Sequence, residues 1–377
     1  MKKKRMANME VLRILAMMMV IMLHYLSKGK VLPAMTGSLT INGYVAWVLE
    51  TLSIVAVNVY MLISGYFLTE SKFRCTRLIQ LVCQVLFYSI LVPVILMAVG
   101  VLSVSDLNLY KLLQYVLPVQ MEQYWFATAY VMLYLLTPIL KCAVHHMKKT
   151  QLQVTIIILL LFWSMNKSIL PVRLTIDELG YDALWFVCVY LCAAYIRLYG
   201  IKWFDSAKKG AWGYLAGCAG ILGITLVIRG LYLTTGKFED FLIATYHYNH
   251  ILNLLAAISI FYAFYDWKLR EGLLARIALK IAPYTFGVYL LHEQVEIRYL
   301  WPKWLGASAE GNPLWFAVRS ILSVLIVFAC GILADMVRNL IFTGIGKIFA
   351  GGRIQYCLSR LDSMLNVESS EQTAERV

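Results

Sequence analysis

The chain has 377 residues, of which 61% are hydrophobic and only 15% are charged, and its formal net charge at pH 7 is +13. Soluble domains average about 25% charged residues, so this composition excludes an ordinary soluble protein and indicates a membrane protein. The basic residues lie in short segments between apolar runs, where they set membrane topology, so the positive charge does not indicate nucleic-acid binding.

The first apolar run, residues 8–29, follows the basic segment MKKKR, and no small-residue cleavage site comes after it. We therefore expect a first transmembrane helix that is retained, and not a signal peptide. Its residues Arg13 and His24 are eleven positions apart, about three helical turns, so they share one face roughly 16 Å apart along the axis. Ionisable groups in a bilayer cost from about 2.5 kcal/mol upward, which makes the pair a functional candidate. The alternatives are an interfacial anchor for Arg13 and a hydrogen-bonded bundle histidine for His24.

A transmembrane helix needs about 20 mostly apolar residues, and the sequence predicts ten such spans. They are approximately 9–27, 43–68, 78–102, 124–141, 152–168, 183–200, 211–234, 248–266, 281–300 and 313–342. With the N-terminus in the cytoplasm, the inner segments hold 23 of the 34 Lys and Arg residues. This asymmetry favours ten spans with both termini inside. We therefore expect an all-α polytopic transmembrane helical bundle.

The domain organisation follows from the same pattern. Residues 1–350 form one membrane domain, and residues 351–377 form a short polar cytoplasmic tail that is disordered at its end. The eight cysteines lie mostly in or beside apolar runs, without CxxC pairs or metal-ligand spacing, so we expect no metal.

The second predicted helix ends in MLISGYFL, where Ser64 and Gly65 allow close helix approach. The third begins at RCTR, which places Arg74 and Arg77 three positions apart. Their guanidinium groups can converge on one anion, and guanidinium geometry suits phosphate. Ordinary positive-inside charge is the alternative explanation of this pair.

The fourth predicted helix opens with EQYWFATAYVMLYLLTP. Tyr124 and Trp125 at a membrane face are typical of an aromatic belt, and would equally suit a sugar-binding platform. Glu122 beside them is a candidate acid.

The ninth predicted helix contains APYTFGVYLLHEQVEIR, which places Tyr289 and His292 three positions apart on one face. His292 lies about eleven residues beyond the predicted inner end, so it reaches a depth similar to that of His24. A hydrogen-bonded histidine within the bundle is the alternative. Glu50, and His247, Asn249 and His250 at the outer start of the eighth helix, are further polar residues in apolar surroundings.

These features, in this order, resemble the acyltransferase-3 family of bacterial membrane O-acyltransferases. The resemblance covers nearly the whole chain and rests on Arg13 with His24, MLISGYFL, RCTR, YWFATAYVMLYLLTPIL, LWFVCVYLCAAYIR and YTFGVYLLH. It implies about ten spans, an acyl-CoA donor from the cytoplasm and a hydroxyl of a surface polysaccharide or lipid-linked precursor as acceptor. The family's signature positions fall on Arg13, His24, Arg74 and Arg77. Many members append an esterase-like domain, and we expect the membrane domain of this chain to act alone or with a separate partner.

Together with the residue pattern, the resemblance implies a division of roles. Arg74, Arg77 and Arg13 would bind the anionic end of acetyl-CoA or another acyl-CoA. His24 would be the base, and Arg13, on the same face of the helix, would also take part in catalysis. Tyr289 and His292 would orient the reacting groups, and Tyr124, Trp125 and Glu122 would contact the acceptor. Direct transfer and an acyl-histidine intermediate both remain open. The expected setting is the bacterial cytoplasmic membrane, with membrane lipid and glycan-assembly proteins as neighbours.

Two other classes fit the same residues. A transporter or exporter of a glycan precursor or small metabolite would also carry intramembrane Arg, His and Glu, although the sequence contains no evident inverted repeat. A non-enzymatic membrane subunit of a glycan-assembly complex is the third possibility.

Overall fold

The computed structural model describes residues 5–171, 177–348 and 353–366. Within those ranges the chain is all-α, as predicted, and contains no β-strand. The described residues include eight helical spans that are long and apolar enough to cross a membrane. The protein is therefore a polytopic helical membrane protein.

The first half of the chain supplies the helices α1 (Ala7–Lys28), α2 (Ile41–Ser53), α3 (Ala56–Leu68), α4 (Cys75–Ala98), α5 (Leu109–Val116), α6 (Trp125–His146), α7 (Lys149–Leu160), α8 (Asn166–Ile169) and α9 (Ala183–Tyr199). Helices α2 and α3 together make one span. Helices α7 and α8 make another, joined by a π-helical turn at Leu161–Met165.

The second half supplies α10 (Ala207–Thr235), α11 (Ile251–Tyr265), α12 (Leu273–Ile281), α13 (Thr285–His292), α14 (Trp301–Trp304), α15 (Pro313–Ile348) and α16 (Arg353–Leu365). Helices α12 and α13 make one span, interrupted by a 3₁₀ turn at Ala282–Tyr284 that contains Pro283. Helix α16 falls in the predicted cytoplasmic tail, and residues 367–377 of that tail lie outside the described residues.

Each of the ten predicted spans overlaps a helix or helix pair. Two of them, α9 and α11, have only 17 and 15 residues, shorter than a typical spanning helix. Most of their side chains are buried against other helices. A helix enclosed by its neighbours has little contact with lipid, so its length is less tightly tied to bilayer thickness.

The ninth predicted span was wrong in its boundaries. The helix begins at Leu273 and ends at His292, whereas the prediction was 281–300. The prediction placed Arg276 and Lys280 in an inner loop because both residues are charged. In the structure they lie on the polar side of the amphipathic helix α12. After His292 the chain turns, and the next helix is the short α14.

Close packing of small residues holds the centre of the bundle together. A Cβ added at Gly65 of α3 would lie 2.8 Å from the Cβ of Ala193 and 3.2 Å from the Cα of Tyr190, both on α9. The predicted close helix approach at Gly65 is therefore confirmed. Helix α1 is fixed to α11 by Asn8, whose side chain donates to the carbonyls of Phe264 at 2.8 Å and Tyr265 at 3.0 Å.

The spans alternate in direction along the chain. The end of the bundle where α1 begins is called the N-terminal end, and it also holds the starts of α4 and α12 and the end of α15. The opposite end, where α1 finishes and α6 begins, is called the far end.

Candidate active site

A cavity of about 680 Å³ lies between α1, α3, α4, α6, α13 and α15 in the N-terminal half of the bundle. Its volume is in the range of small-molecule binding sites. Three of the lining residues are arginines from three different helices, namely Arg13, Arg77 and Arg338. This cavity, called the arginine cavity, therefore suits an anionic ligand.

Arg13 is held inside the protein by an ion pair. The buried carboxylate of Glu10, one turn earlier, lies 2.8 Å from Arg13 Nη1 and also pairs with Arg5 at 2.9 Å. The hydroxyl of Tyr60 donates to the backbone carbonyl of Arg13 at 3.0 Å. Arg13 is thus fixed at the cavity wall, which disfavours the alternative of a snorkelling interfacial anchor.

Arg338 is fixed by the fully buried carboxylate of Asp335 on the same helix, with nitrogen–oxygen distances of 2.7 and 2.9 Å. Gln84 and Tyr88 of α4 also donate to Asp335, each at 2.9 Å. A Cβ at Gly287 would overlap this carboxylate, so glycine is required for α13 to pack against α15 here.

The predicted arginine pair is divided between two positions. Arg77, in the first turn of α4, lines the arginine cavity together with Arg13. Arg74 is the N-cap residue of α4, and its exposed side chain lies outside the lining of that cavity. The structure thus brings Arg77, and not Arg74, together with Arg13.

A second, much smaller cavity of about 30 Å³ lies deeper in the bundle beside His24. Tyr289, Trp125 and Tyr248 contribute to its wall. The side chains of Tyr60, Phe126 and Phe286 line both this cavity, called the histidine cavity, and the arginine cavity. These three residues, called the aromatic neck, therefore lie between the basic site and the cavity beside His24.

Hydrogen bonding determines which nitrogen of His24 carries the proton. His292 Nδ1 lies 2.6 Å from the carbonyl oxygen of Val288, which can only accept, so His292 is protonated at Nδ1. With both rings neutral, His292 Nε2 is then an acceptor, and His24 Nδ1, 2.9 Å away, must donate to it. His24 therefore keeps its lone pair on Nε2, the nitrogen available to act as a base.

Glu293 is a second acceptor beside the same nitrogen. Its Oε2 lies 3.2 Å from His24 Nδ1, and its side chain is only 6% exposed. The other oxygen, Oε1, lies 3.3 Å from Arg298 and 3.9 Å from Lys28. When His24 takes up a proton, the adjacent carboxylate stabilises the imidazolium that forms.

The predicted aromatic residues are internal and do not form a belt at the membrane face. Tyr124 is completely buried and packs against Tyr289, with ring centroids 6.0 Å apart. Trp125 stacks on Tyr248 at 5.7 Å. The hydroxyl of Tyr289 is buried and forms no hydrogen bond of normal geometry within the described residues. Glu122 is exposed, has a positive φ of 49°, and lies outside both cavities.

A family model described as an acyltransferase domain matches residues 6–332, nearly the whole chain. The chain belongs to the acyltransferase-3 family. No curated protein and no solved structure matches it. This protein is accordingly a membrane acyltransferase.

Sequence reasoning missed several residues that line the two cavities of this acyltransferase or hold the lining residues in place. Glu10 and Asp335 each precede an arginine by three positions within an apolar helix, and that spacing of opposite charges was the available signal. Glu293 directly follows His292 in the sequence. The neck residues Phe126 and Phe286 carried no signal, because aromatic residues are common in every helix of this chain.

Proposed function

We propose that this acyltransferase moves an acyl group, acetyl in the first instance, from cytoplasmic acyl-CoA to a hydroxyl of a cell-surface polysaccharide or its lipid-linked precursor. The observation that carries the proposal is an aromatic neck that lies between a cavity lined by three arginines and a histidine with its lone pair on Nε2. An acyl-CoA thioester matches this arrangement, because its polyanionic end suits the arginine cavity and its long neutral arm suits the aromatic neck.

The arginine cavity is the proposed donor site, with the N-terminal end of the bundle in the cytoplasm. Arg13, Arg77 and Arg338 would contact the phosphates of CoA, because guanidinium groups bind phosphate in a bidentate fashion. The pantetheine arm would extend through the aromatic neck. Arg13 and His24 are roughly 16 Å apart along α1, a distance that an extended arm of this kind can cover.

The size of the histidine cavity supports a small acyl group. Its volume is about 30 Å³, which leaves little free space beside His24. Large side chains border it, including Trp125, Phe286 and Tyr289. A longer acyl chain would have to displace them, so acetyl is the proposed group.

The proposed reaction is a direct transfer. His24 Nε2 takes the proton from the acceptor hydroxyl while that oxygen attacks the thioester carbonyl carbon. The carbonyl oxygen gains negative charge and accepts a hydrogen bond from the buried hydroxyl of Tyr289, which lines the same cavity. As the C–S bond breaks, the sulfur leaves with the bonding electrons and takes the proton from His24. Glu293 and His292 hold the imidazole throughout.

The acceptor is proposed to approach from the far end, where His24 is 17% exposed and Lys28 is 24% exposed. Arg298 and Lys28 both lie over the ring of Tyr299 there, at 5.4 and 5.1 Å from its centroid. An aromatic ring flanked by hydrogen-bond donors suits a carbohydrate, and Trp125 would contact it from within.

Membranes containing the protein and acetyl-labelled acetyl-CoA, with no ion gradient present, test the proposal. We expect release of free CoA and transfer of the label to membrane or glycan material. Arg77→Ala should raise the KM for acetyl-CoA about 10- to 100-fold, because a hydrogen bond to a charged group contributes about 1.5–3 kcal/mol.

Lys237→Ala, a cation outside both cavities, is the matched control. No CoA release without a gradient would contradict the proposal and favour the transporter alternative.

A further inference from the structure

The segment that precedes α4 is held by side chains from distant parts of the chain. Three consecutive backbone amides, those of Phe73, Arg74 and Cys75, each donate to such a side chain. The acceptors are Asn366 at 2.8 Å, the Tyr134 hydroxyl at 3.2 Å and Asp362 at 2.7 Å, respectively. The amide of Asn366 also donates to the Phe73 carbonyl at 2.8 Å.

Two of these three acceptors belong to the C-terminal helix or the residue just after it. Asp362 lies in the last turn of α16, and Asn366 immediately follows that helix. The family match ends at residue 332, so this contact comes from a part of the chain outside the matched domain.

Helix α4 lacks a cap of its own. Arg74 occupies the N-cap position, and its side chain makes no capping hydrogen bond. The first N–H groups of a helix need acceptors, and Asp or Asn usually supplies them from the N-cap position. Here Asp362 supplies the acceptor from 287 residues away, and its negative charge also favours the N-terminus of the helix.

We propose that α16 positions the donor site, with Asp362 and Asn366 as positioning residues that fix the start of α4. Arg77 lies in the first turn of that helix and lines the arginine cavity. Fraying of the turn would move its guanidinium away from Arg13. This inference rests on the proposed role of Arg77 in binding acyl-CoA.

The test compares Asp362→Ala, Asp362→Asn and Asn366→Ala in the full-length protein, with Ser363→Ala on the exposed face of the same helix as control. We expect Asp362→Ala and Asn366→Ala to raise the KM for acetyl-CoA roughly five- to tenfold with kcat unchanged, a factor that corresponds to the about 1 kcal/mol of helix stability that a lost cap costs. Asp362→Asn keeps the acceptor oxygen and should restore a nearly normal KM.

A second measurement reports on the contact itself. Cys75 is the first residue of α4, and alkylation of its thiol can be followed by mass spectrometry of the peptide. Asn366→Ala, which removes no charge from beside the thiol, should speed alkylation of Cys75, and Ser363→Ala should not.

The outcomes separate this inference from the proposed function. If Asn366→Ala leaves both the alkylation rate and the KM unchanged, the positioning role is overturned. Faster alkylation with an unchanged KM would also overturn it, provided that Arg77→Ala raises the KM. If Arg77→Ala itself leaves the KM unchanged, the proposed donor site fails instead.

Discussion

At the level of single residues, the two nitrogen atoms of His24 have different neighbours and therefore different tasks. Nδ1 faces two acceptors, His292 Nε2 at 2.9 Å and Glu293 Oε2 at 3.2 Å. This arrangement keeps Nε2 unprotonated and ready to accept a proton. It also places a carboxylate where positive charge develops on the ring, as in catalytic triads.

Glu293→Gln tests the charge beside His24. Glutamine keeps an acceptor oxygen but loses the charge that stabilises the imidazolium, so kcat should fall about 10- to 100-fold, corresponding to about 1.5–3 kcal/mol. The KM for acetyl-CoA should stay unchanged, because the donor site is in the other half of the bundle. Steady-state kinetics with acetyl-CoA measure both quantities.

The matched control for this change is Glu296→Gln. Glu296 lies one turn away from Glu293 and pairs with Lys111 and Tyr115. The kcat of the Glu296→Gln enzyme should remain close to that of the wild type. An unchanged kcat for Glu293→Gln would remove the charge of Glu293 from the mechanism.

At the level of helices, the contact between α13 and α15 connects the two cavities. The second half of α13 carries Tyr289 and His292, and its first half packs against Asp335 through Gly287. Asp335 in turn fixes Arg338 of the donor site. One close helix contact thus sets the positions of groups at both cavities.

Gly287→Ala should therefore destabilise the protein. The added Cβ overlaps the Asp335 carboxylate, and overpacking of this kind costs about 1–3 kcal/mol. Thermal unfolding in detergent should show a lower midpoint. Gly230→Ala is the control, because a Cβ at Gly230 on α10 meets no atom within 4 Å, and its midpoint should not fall. Equal midpoints for the two variants would contradict the close contact.

At the level of the whole molecule, the proposed path of the donor passes the aromatic neck, so we expect the neck to select which acyl groups reach His24. Phe286→Ala removes one of the three side chains that line both cavities, and should enlarge the path. The ratio of kcat/KM for butyryl-CoA to that for acetyl-CoA should rise about tenfold or more, since one to two extra methylenes are worth about 1–3 kcal/mol in a pocket.

Competition between the two donors in membranes measures that ratio directly. Phe328→Ala is the control, because Phe328 of α15 is buried in the core but lines neither cavity. A ratio that stays at the wild-type value in Phe286→Ala would show that the neck does not select the acyl group.

The sequence was most informative where one helix alone decides the outcome, although not in every case. The spacing of Arg13 and His24 predicted a shared face and a separation of about three turns, and His292 was predicted at the depth where it meets His24. The start of α12 was predicted too late in the sequence, because Arg276 and Lys280 are basic residues of the kind found in cytoplasmic loops.

Contacts between helices were harder to predict. Asp335 meets Gln84 and Tyr88 of α4 only because α15 has a particular rotation about its own axis. A helix that is apolar on all sides does not encode that rotation in its periodicity. The cap on α4 from Asp362 joins residues 287 positions apart and had no local signal.

The most direct measurement is the O-acyl content of the surface glycan in cells that lack the gene and carry either the wild type or His24→Ala. His146→Ala, a histidine exposed at the end of α6, is the control, and all proteins must be present in the membrane at equal amounts. We expect the wild type and His146→Ala to restore glycan O-acylation. His24→Ala should lower the rate of acyl transfer about 10²- to 10⁴-fold, the usual contribution of a general base, and the O-acyl content of the glycan should fall accordingly. Restoration of normal O-acylation by His24→Ala would contradict the account.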